Sequence, residues 1–233
     1  MDDLSPFSLL QTPTVAHPLL GQTILIVEDS LFACEALRQM SLRSGARIRR
    51  ADSLAAAHRH LRVYRPTVAI IDLGLPDGSG AELIEELSNA VPRLPVILGT
   101  SGDVFAEDAS IAAGSDGFLA KPVSSLAVFQ TLILRHLPAD LHPPGPRKMP
   151  NDRIAPDPVS LKDDLAHAVE ALEGAASARD LAYVAQFLSG IARSVEDKGL
   201  LDAANAISGA DGRNRVATLR TALQHRLANQ PRI

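Results

Sequence analysis

Three carboxylates, a hydroxyl and an amine stand at the ends of apolar runs in this 233-residue chain, in an order suited to phosphoryl chemistry. Glu28 and Asp29 close TILIVED, Asp72 closes TVAIID, Thr100 closes PVILGT, and Lys121 closes DGFLAK with Pro122 next. If the runs are parallel strands, the residues at their carboxyl ends meet at one edge of the sheet. Three carboxylates gathered in a partly dry cleft repel one another. A divalent cation with oxygen ligands relieves that repulsion, and Mg2+ is the natural candidate, with the backbone carbonyl of Gly74 as a further ligand. Asp72 can then serve as nucleophile toward a phosphoryl group. Lys121 would pair with one phosphoryl oxygen, and Thr100 would donate a hydrogen bond to another.

The elements that must position these residues follow from periodicity. Short apolar runs at 23–27, 67–71, 95–99 and 117–120, with a weaker one near 46–51, alternate with helical spacing at 30–44, 53–63, 80–90, 105–113 and 124–137. That alternation predicts an α/β unit, a parallel sheet flanked by helices. Ser30 and Ser53 are suited to N-caps. Residues 1–20 hold three prolines and no period, which predicts a disordered or loosely docked tail. Proline recurs so often through 139–158 that neither helix nor central strand is expected, and this stretch reads as a linker. From 159 to 233 the period is helical, with stripes at Leu161, Leu165, Ala168 and Leu172, at Leu181, Val184, Leu188, Ile191 and Val195, and at Val216, Leu219, Leu223 and Leu227. A shorter helix fits 199–208, and together these predict a small antiparallel four-helix bundle.

Over residues 21–138 the motifs VEDS, IIDLGLPDGSG, PVILGTSG and SDGFLAKP resemble, in order and spacing, the receiver domain of bacterial two-component response regulators. The resemblance implies a flavodoxin-like five-stranded parallel sheet of order 2-1-3-4-5 with helices on both faces. It makes Asp72 the phosphoacceptor, has Glu28 and Asp29 hold Mg2+, and has Thr100 and Lys121 read the phosphate. It also implies a cis Lys121–Pro122 bond. Phe118 matches the switch aromatic that turns inward as Thr100 moves, although a Phe at this place serves equally as plain core. Two positions depart from the family pattern: Gly99 stands where a bulkier residue is usual, and Ser101 where Ala often follows.

The segment VAQFLSGIARSVEDKGLLDAANAI is weakly similar to the active helix of histidine-phosphotransfer domains. Gln186 stands at the place of the phosphoacceptor His, Ser189 at that of a Lys, and Gly190 is retained. Gln186 lies off the apolar stripe, so it should face solvent or a partner. A carboxamide is no nucleophile of the imidazole kind, which makes Gln186 a degenerate phosphotransfer position. The alternative is an ordinary helical bundle with Gln186 one solvated residue among many. His167 and His225 also lie off the stripes but lack a Gly at the fourth following position.

Bulk properties narrow the function. Net charge is −4 and aromatics are 3%, and residues 159–233 carry nine cations and nine acids, so no electrostatic footprint for nucleic acid emerges. The lone Cys34, with no signal peptide or membrane-length apolar run, makes a reducing cytoplasm the expected compartment. The reading that follows is a response regulator of a two-component phosphorelay, phosphorylated on Asp72 by a histidine kinase or phosphotransfer protein. It performs no conventional enzyme reaction beyond Mg2+-dependent self-phosphorylation. Output would pass through 159–233 to another signalling protein or to a homodimer. Two alternatives stand beside it: a relay intermediate with an active bundle using His167 or His225, and a DNA-binding transcriptional regulator.

Overall fold

The structure is a computed structural model that describes residues 12–103, 105–154, 157–207 and 212–229. Its first part alternates strands and helices: β1 (Thr23–Val27), α1 (Leu31–Arg43), β2 (Arg47–Ala51), α2 (Leu54–Leu61) and β3 (Val68–Asp72). It continues through a two-strand hairpin, β4 (Gly74–Leu75) and β5 (Gly78–Ser79), then α3 (Gly80–Asn89), β6 (Val96–Ser101), α4 (Ala106–Ala112), β7 (Gly117–Ala120) and α5 (Leu126–His136). The five long strands form one parallel sheet of order β2-β1-β3-β6-β7, which is the expected 2-1-3-4-5 once the hairpin is set aside.

Burial explains the strand sequences. β3 and β6 are buried at every residue and read as unbroken apolar runs, as central parallel strands must. β2, RIRRA, lies at the sheet edge and is largely exposed, which is why its signal was weak. Alternate residues face opposite layers. Ile24, Ile26, Val68, Ile70, Val96 and Leu98 pack under α1 and α5 against Leu37, Met40, Phe129 and Ile133. Leu25, Val27, Ala69, Ile71 and Ile97 face Ala57, Leu83, Ile84 and Leu87 from α2 and α3. Each such fully buried large side chain contributes about 1.5–3 kcal/mol relative to exposure. Ser30 and Ser53 cap α1 and α2 through their hydroxyl oxygens, which accept from Ala33 N and Ala56 N.

Two expectations need correction. The tail was expected to be loose through residue 20, yet Leu19 is fully buried in the α1–α5 layer and its amide donates to Ser44 O at 2.8 Å. An apolar anchor next to Pro18 outweighs the missing periodicity. Residues 1–11 lie outside the described residues. Among its described residues 139–154 the proline-rich stretch holds no element longer than a single turn, and it is docked along the first part. A 3-10 turn spans Ala139–Leu141, Ile154 is buried in the core with its amide on Ser124 O, and Arg153 bridges Ser125.

The second part comprises α6 (Pro158–Gly174), α7 (Ala178–Ser194), α8 (Lys198–Ile207) and α9 (Gly212–Asn229). α6 packs on α7 and α9, and α8 packs on the same two, closing a four-helix arrangement. Its core is built from Leu165, Ala168 and Leu172, Leu181, Val184 and Leu188, Leu200 and Ala204, and Leu219 and Leu223. Asp157 caps α6, and Ser177 with Asp180 forms a capping box on α7. α6 also packs directly on α1, and α7 on the β4 hairpin.

Candidate functional site

The parallel register carries the chemistry to one edge. Asp72 pairs with Thr100 across β3 and β6, and Thr100 with Leu119 across β6 and β7. Asp72 is 6% exposed and Glu28 fully buried. Lys121 Nζ lies 2.7 Å from Glu28 Oε2 and 3.1 Å from Asp72 Oδ2, so one ammonium bridges two buried carboxylates. Thr100 is buried and its hydroxyl donates to Leu119 O at 2.7 Å. The Lys121–Pro122 peptide bond is cis.

Local backbone packing holds Asp72 in place. Gly80 opens α3 so close to β3 that an added Cβ would overlap the Asp72 carbonyl oxygen. Its amide donates to Leu73 O, which closes the hairpin loop that carries Gly74 beside the acids. The missing side chain of Gly99 is explained in the same way: a Cβ there would overlap Ser110 Oγ and come 3.4 Å from the Phe118 ring. Phe118 is half-buried.

Oxygen atoms of Glu28, Asp29 and Asp72 lie within 4.8 Å of one another. Burial pushes the Glu28 carboxyl up to about 8, Lys121 opposing and Asp72 adding to the rise. Burial and the Asp72 charge push Asp29 up to about 6, while a hydrogen bond from Tyr183 works against them. Burial alone would lower the Lys121 ammonium, but Asp72 and Glu28 outweigh it and hold the amine charged. Three acids sharing one ammonium make an all-oxygen donor set short of positive charge, and that set fits a divalent cation of the Mg2+ kind. Cys34 is buried on α1, and burial pushes its thiol up to about 12, which keeps it out of this chemistry.

The bundle lies directly over this edge, an arrangement without a sequence signal. Tyr183 OH donates to Asp29 Oδ2 at 2.6 Å. Asp164, buried on α6, accepts from Ser30 Oγ at 2.6 Å, Leu31 N at 2.7 Å and Phe32 N at 3.0 Å. Arg193 donates to Gly102 O. Gln186 is exposed on the bundle surface, and its carboxamide lies against Gly74, so the partner it faces belongs to its own chain. Ser189 turns the other way, into the bundle, and donates to Asn205 Oδ1 at 3.3 Å. His167 reaches Tyr183 OH at 3.3 Å and packs edge-on against Phe187, whereas His225 lines a cleft with Leu161, Asp197 and Arg226.

Residues 24–133 match the model of the response regulator receiver domain, and this part of the chain is a receiver domain of the two-component class. Phosphorylation on Asp and Mg2+ binding in an acidic pocket are typical of that family. The chain is similar to the KDP operon transcriptional regulatory protein KdpE of Escherichia coli, 35% identical over 101 residues, which cover 42% of this chain and 44% of that protein. It is similar to the virulence transcriptional regulatory protein PhoP of Salmonella typhimurium, 30% identical over 100 residues, which cover 42% of this chain and 45% of that one. The matches thus span less than half the length of these relatives.

Among solved structures, the receiver domain of a signal transduction histidine kinase from Syntrophus aciditrophicus is 27% identical, with 50% of this chain and 89% of that one covered and a TM-score of 0.45. The receiver domain of a sensor histidine kinase from Pseudomonas aeruginosa, with a magnesium ion in its active-site cleft, is 25% identical, with 49% and 96% covered and a TM-score of 0.45. Among the described residues, no helix is long and apolar enough to cross a membrane.

Proposed function

We propose that this protein is a phosphorylation-controlled signalling adaptor whose receiver, residues 21–138, takes a phosphoryl group on Asp72 from a histidine kinase or phosphotransfer protein. The carrying observation is Asp72 itself, nearly buried, bridged to Glu28 by Lys121 and grouped with a third carboxylate. An Asp72 oxygen attacks phosphorus as the bond from phosphorus to the donor nitrogen breaks, and the donor imidazole leaves. Glu28, Asp29, Asp72 and the Gly74 carbonyl would hold Mg2+, which supplies charge neutralisation for the phosphoryl oxygens. Lys121 pairs with one of those oxygens. Thr100 gives up Leu119 O to donate to another, and Phe118 follows into the freed space.

Residues 159–233 act in this reading as an output module joined by the stretch 139–158. Gln186 stands in the position of a phosphotransfer histidine and cannot take the group onward, so the phosphoryl group stops at Asp72. Output then runs through protein contact or dimerisation. The test is Mg2+-dependent labelling of the full chain by acetyl phosphate, in which acetate leaves as the phosphorus–oxygen bond breaks. Labelling should vanish in Asp72→Ala, and label that survives this substitution would remove Asp72 from the mechanism. Acid-labile phosphate on His167 or His225 would instead favour a relay. Duplex binding that weakens with salt would favour a DNA-binding transcriptional regulator; KdpE and PhoP are both named as transcriptional regulatory proteins.

A further inference from the structure

A donor must bring its phosphorus to Asp72 through the mouth of the cleft, because the strand behind Asp72 is buried along its whole length. That mouth is covered by α7. Glu28, Asp29, Asp72, Gly74 and Lys121 line one side of a cavity, and Gln186, Phe187, Gly190 and Ser194 line the other. The cavity measures about 20 Å³, whereas a single water needs roughly 10–15 Å³ by the same measure. A phosphoryl group still attached to its donor atom does not fit in that space, and the adjoining cavity of about 370 Å³, which shares Phe32, Lys121 and Ser194 with it, is lined by Thr100 but not by Glu28, Asp29 or Asp72. The α7 backbone is also close: a Cβ added at Gly102 would come 3.1 Å from Gly190 Cα.

The cover is fastened at several points around Asp72. Tyr183 holds Asp29, Arg193 holds Gly102 O, and Asp164 holds the side chain of Ser30 and the amides of Leu31 and Phe32. Gln186 sits between these points with its carboxamide against Gly74. It can donate and accept hydrogen bonds but cannot take a phosphoryl group, so it fills the approach without reacting. The occupant of the mouth is therefore a helix of the same chain, presenting an inert residue where a donor must present a reactive one.

We propose that the α6–α7 face is an intramolecular partner of the receiver that competes with the phosphodonor for the mouth above Asp72. This rests on the assignment of Asp72 as phosphoacceptor. Donor access requires the bundle to lift, and a phosphoryl group on Asp72 prevents it from reseating. By linkage, whatever the seated bundle subtracts from phosphorylation, phosphorylation subtracts from seating. The lifted face carries Tyr183, Gln186, Phe187 and Arg193 together and becomes the surface that a downstream protein can meet.

The experiment uses the full chain with Mg2+ and two small donors, acetyl phosphate and phosphoramidate. Gln186→Ala combined with Arg193→Ala removes the side chain that lies against Gly74 and one fastening, both outside the acid cluster, and should speed labelling of Asp72 on the order of tenfold. In the wild-type chain, beryllofluoride should raise hydrogen exchange at the amides of Leu31 and Phe32, which seated Asp164 protects. Labelling at the wild-type rate in the double variant, with Asp72 still modified, would overturn the competition while leaving Asp72 as acceptor. Unchanged labelling with slower loss of phosphate would also overturn it, assigning Gln186 to hydrolysis instead. Label that persists in Asp72→Ala, or no label in any variant, would sink the acceptor assignment and the competition with it.

Discussion

Lys121 shows how one side chain sets the state of its neighbours. Its ammonium lies between Glu28 and Asp72 and only partly neutralises a cluster of three acids, which leaves a surplus of negative charge. Removing that surplus should relieve strain, so Asp72→Asn is expected to stabilise the metal-free protein by about 1 kcal/mol while abolishing phosphoryl uptake. Urea unfolding of both chains in a chelator checks it, and a midpoint below wild type would contradict it. The pH dependence has a definite sign. Asp29 and Glu28 hold their protons more tightly folded than unfolded, so their contribution to stability is complete below about pH 4. It is lost as pH rises through about 6 and then about 8. Mg2+ takes the ionised carboxylates, so its binding releases protons and its stabilisation should grow over the same interval. Melting scans at about pH 5, 7 and 9 should show the Mg2+-induced rise in Tm widening with pH, and a constant gap would mean these acids are not the ligands.

At the scale of elements, the five strands and their helices were legible because burial imposes period 2 or an unbroken apolar run on a strand and period 3.6 on a helix. The β4–β5 hairpin was not legible, since two residues per strand are too few to show a period. Yet this hairpin and Gly80 decide where Gly74 lies. A methyl group at position 80 would meet the Asp72 backbone, which has no flexible end to yield. Gly80→Ala is therefore expected to cost about 1–3 kcal/mol and to disturb labelling of Asp72. At Gly174, the last residue of α6, an added Cβ meets nothing within 4 Å, and Gly174→Ala should stabilise by about 0.5 kcal/mol. Denaturation midpoints shifting in opposite directions would support both assignments.

At the scale of the molecule, residues 139–154 behave as part of the receiver surface. Ile154 is 4% exposed inside the layer formed with α1 and α5, and its amide is bonded to Ser124 O. Composition pointed to a linker because proline suppresses regular elements, but it cannot show whether an irregular segment is docked. Ile154→Ala should cost about 2–4 kcal/mol by calorimetry. A loss below about 0.5 kcal/mol, the range of ordinary surface substitutions, would show that the segment is free.

The division between sequence and tertiary structure follows from what each contact depends on. The sequence alone determined that Glu28, Asp29, Asp72, Thr100 and Lys121 meet, because parallel strands share one direction and the last residue of each must reach the same edge. It also determined that Gln186 stands off the apolar stripe of its helix. What Gln186 faces was decided by tertiary structure. The bonds from Ser30 to Asp164 and from Tyr183 to Asp29 join residues 134 and 154 positions apart. No period or motif links such residues, because the seating of one packed unit on another is fixed by the shape and charge of two whole surfaces.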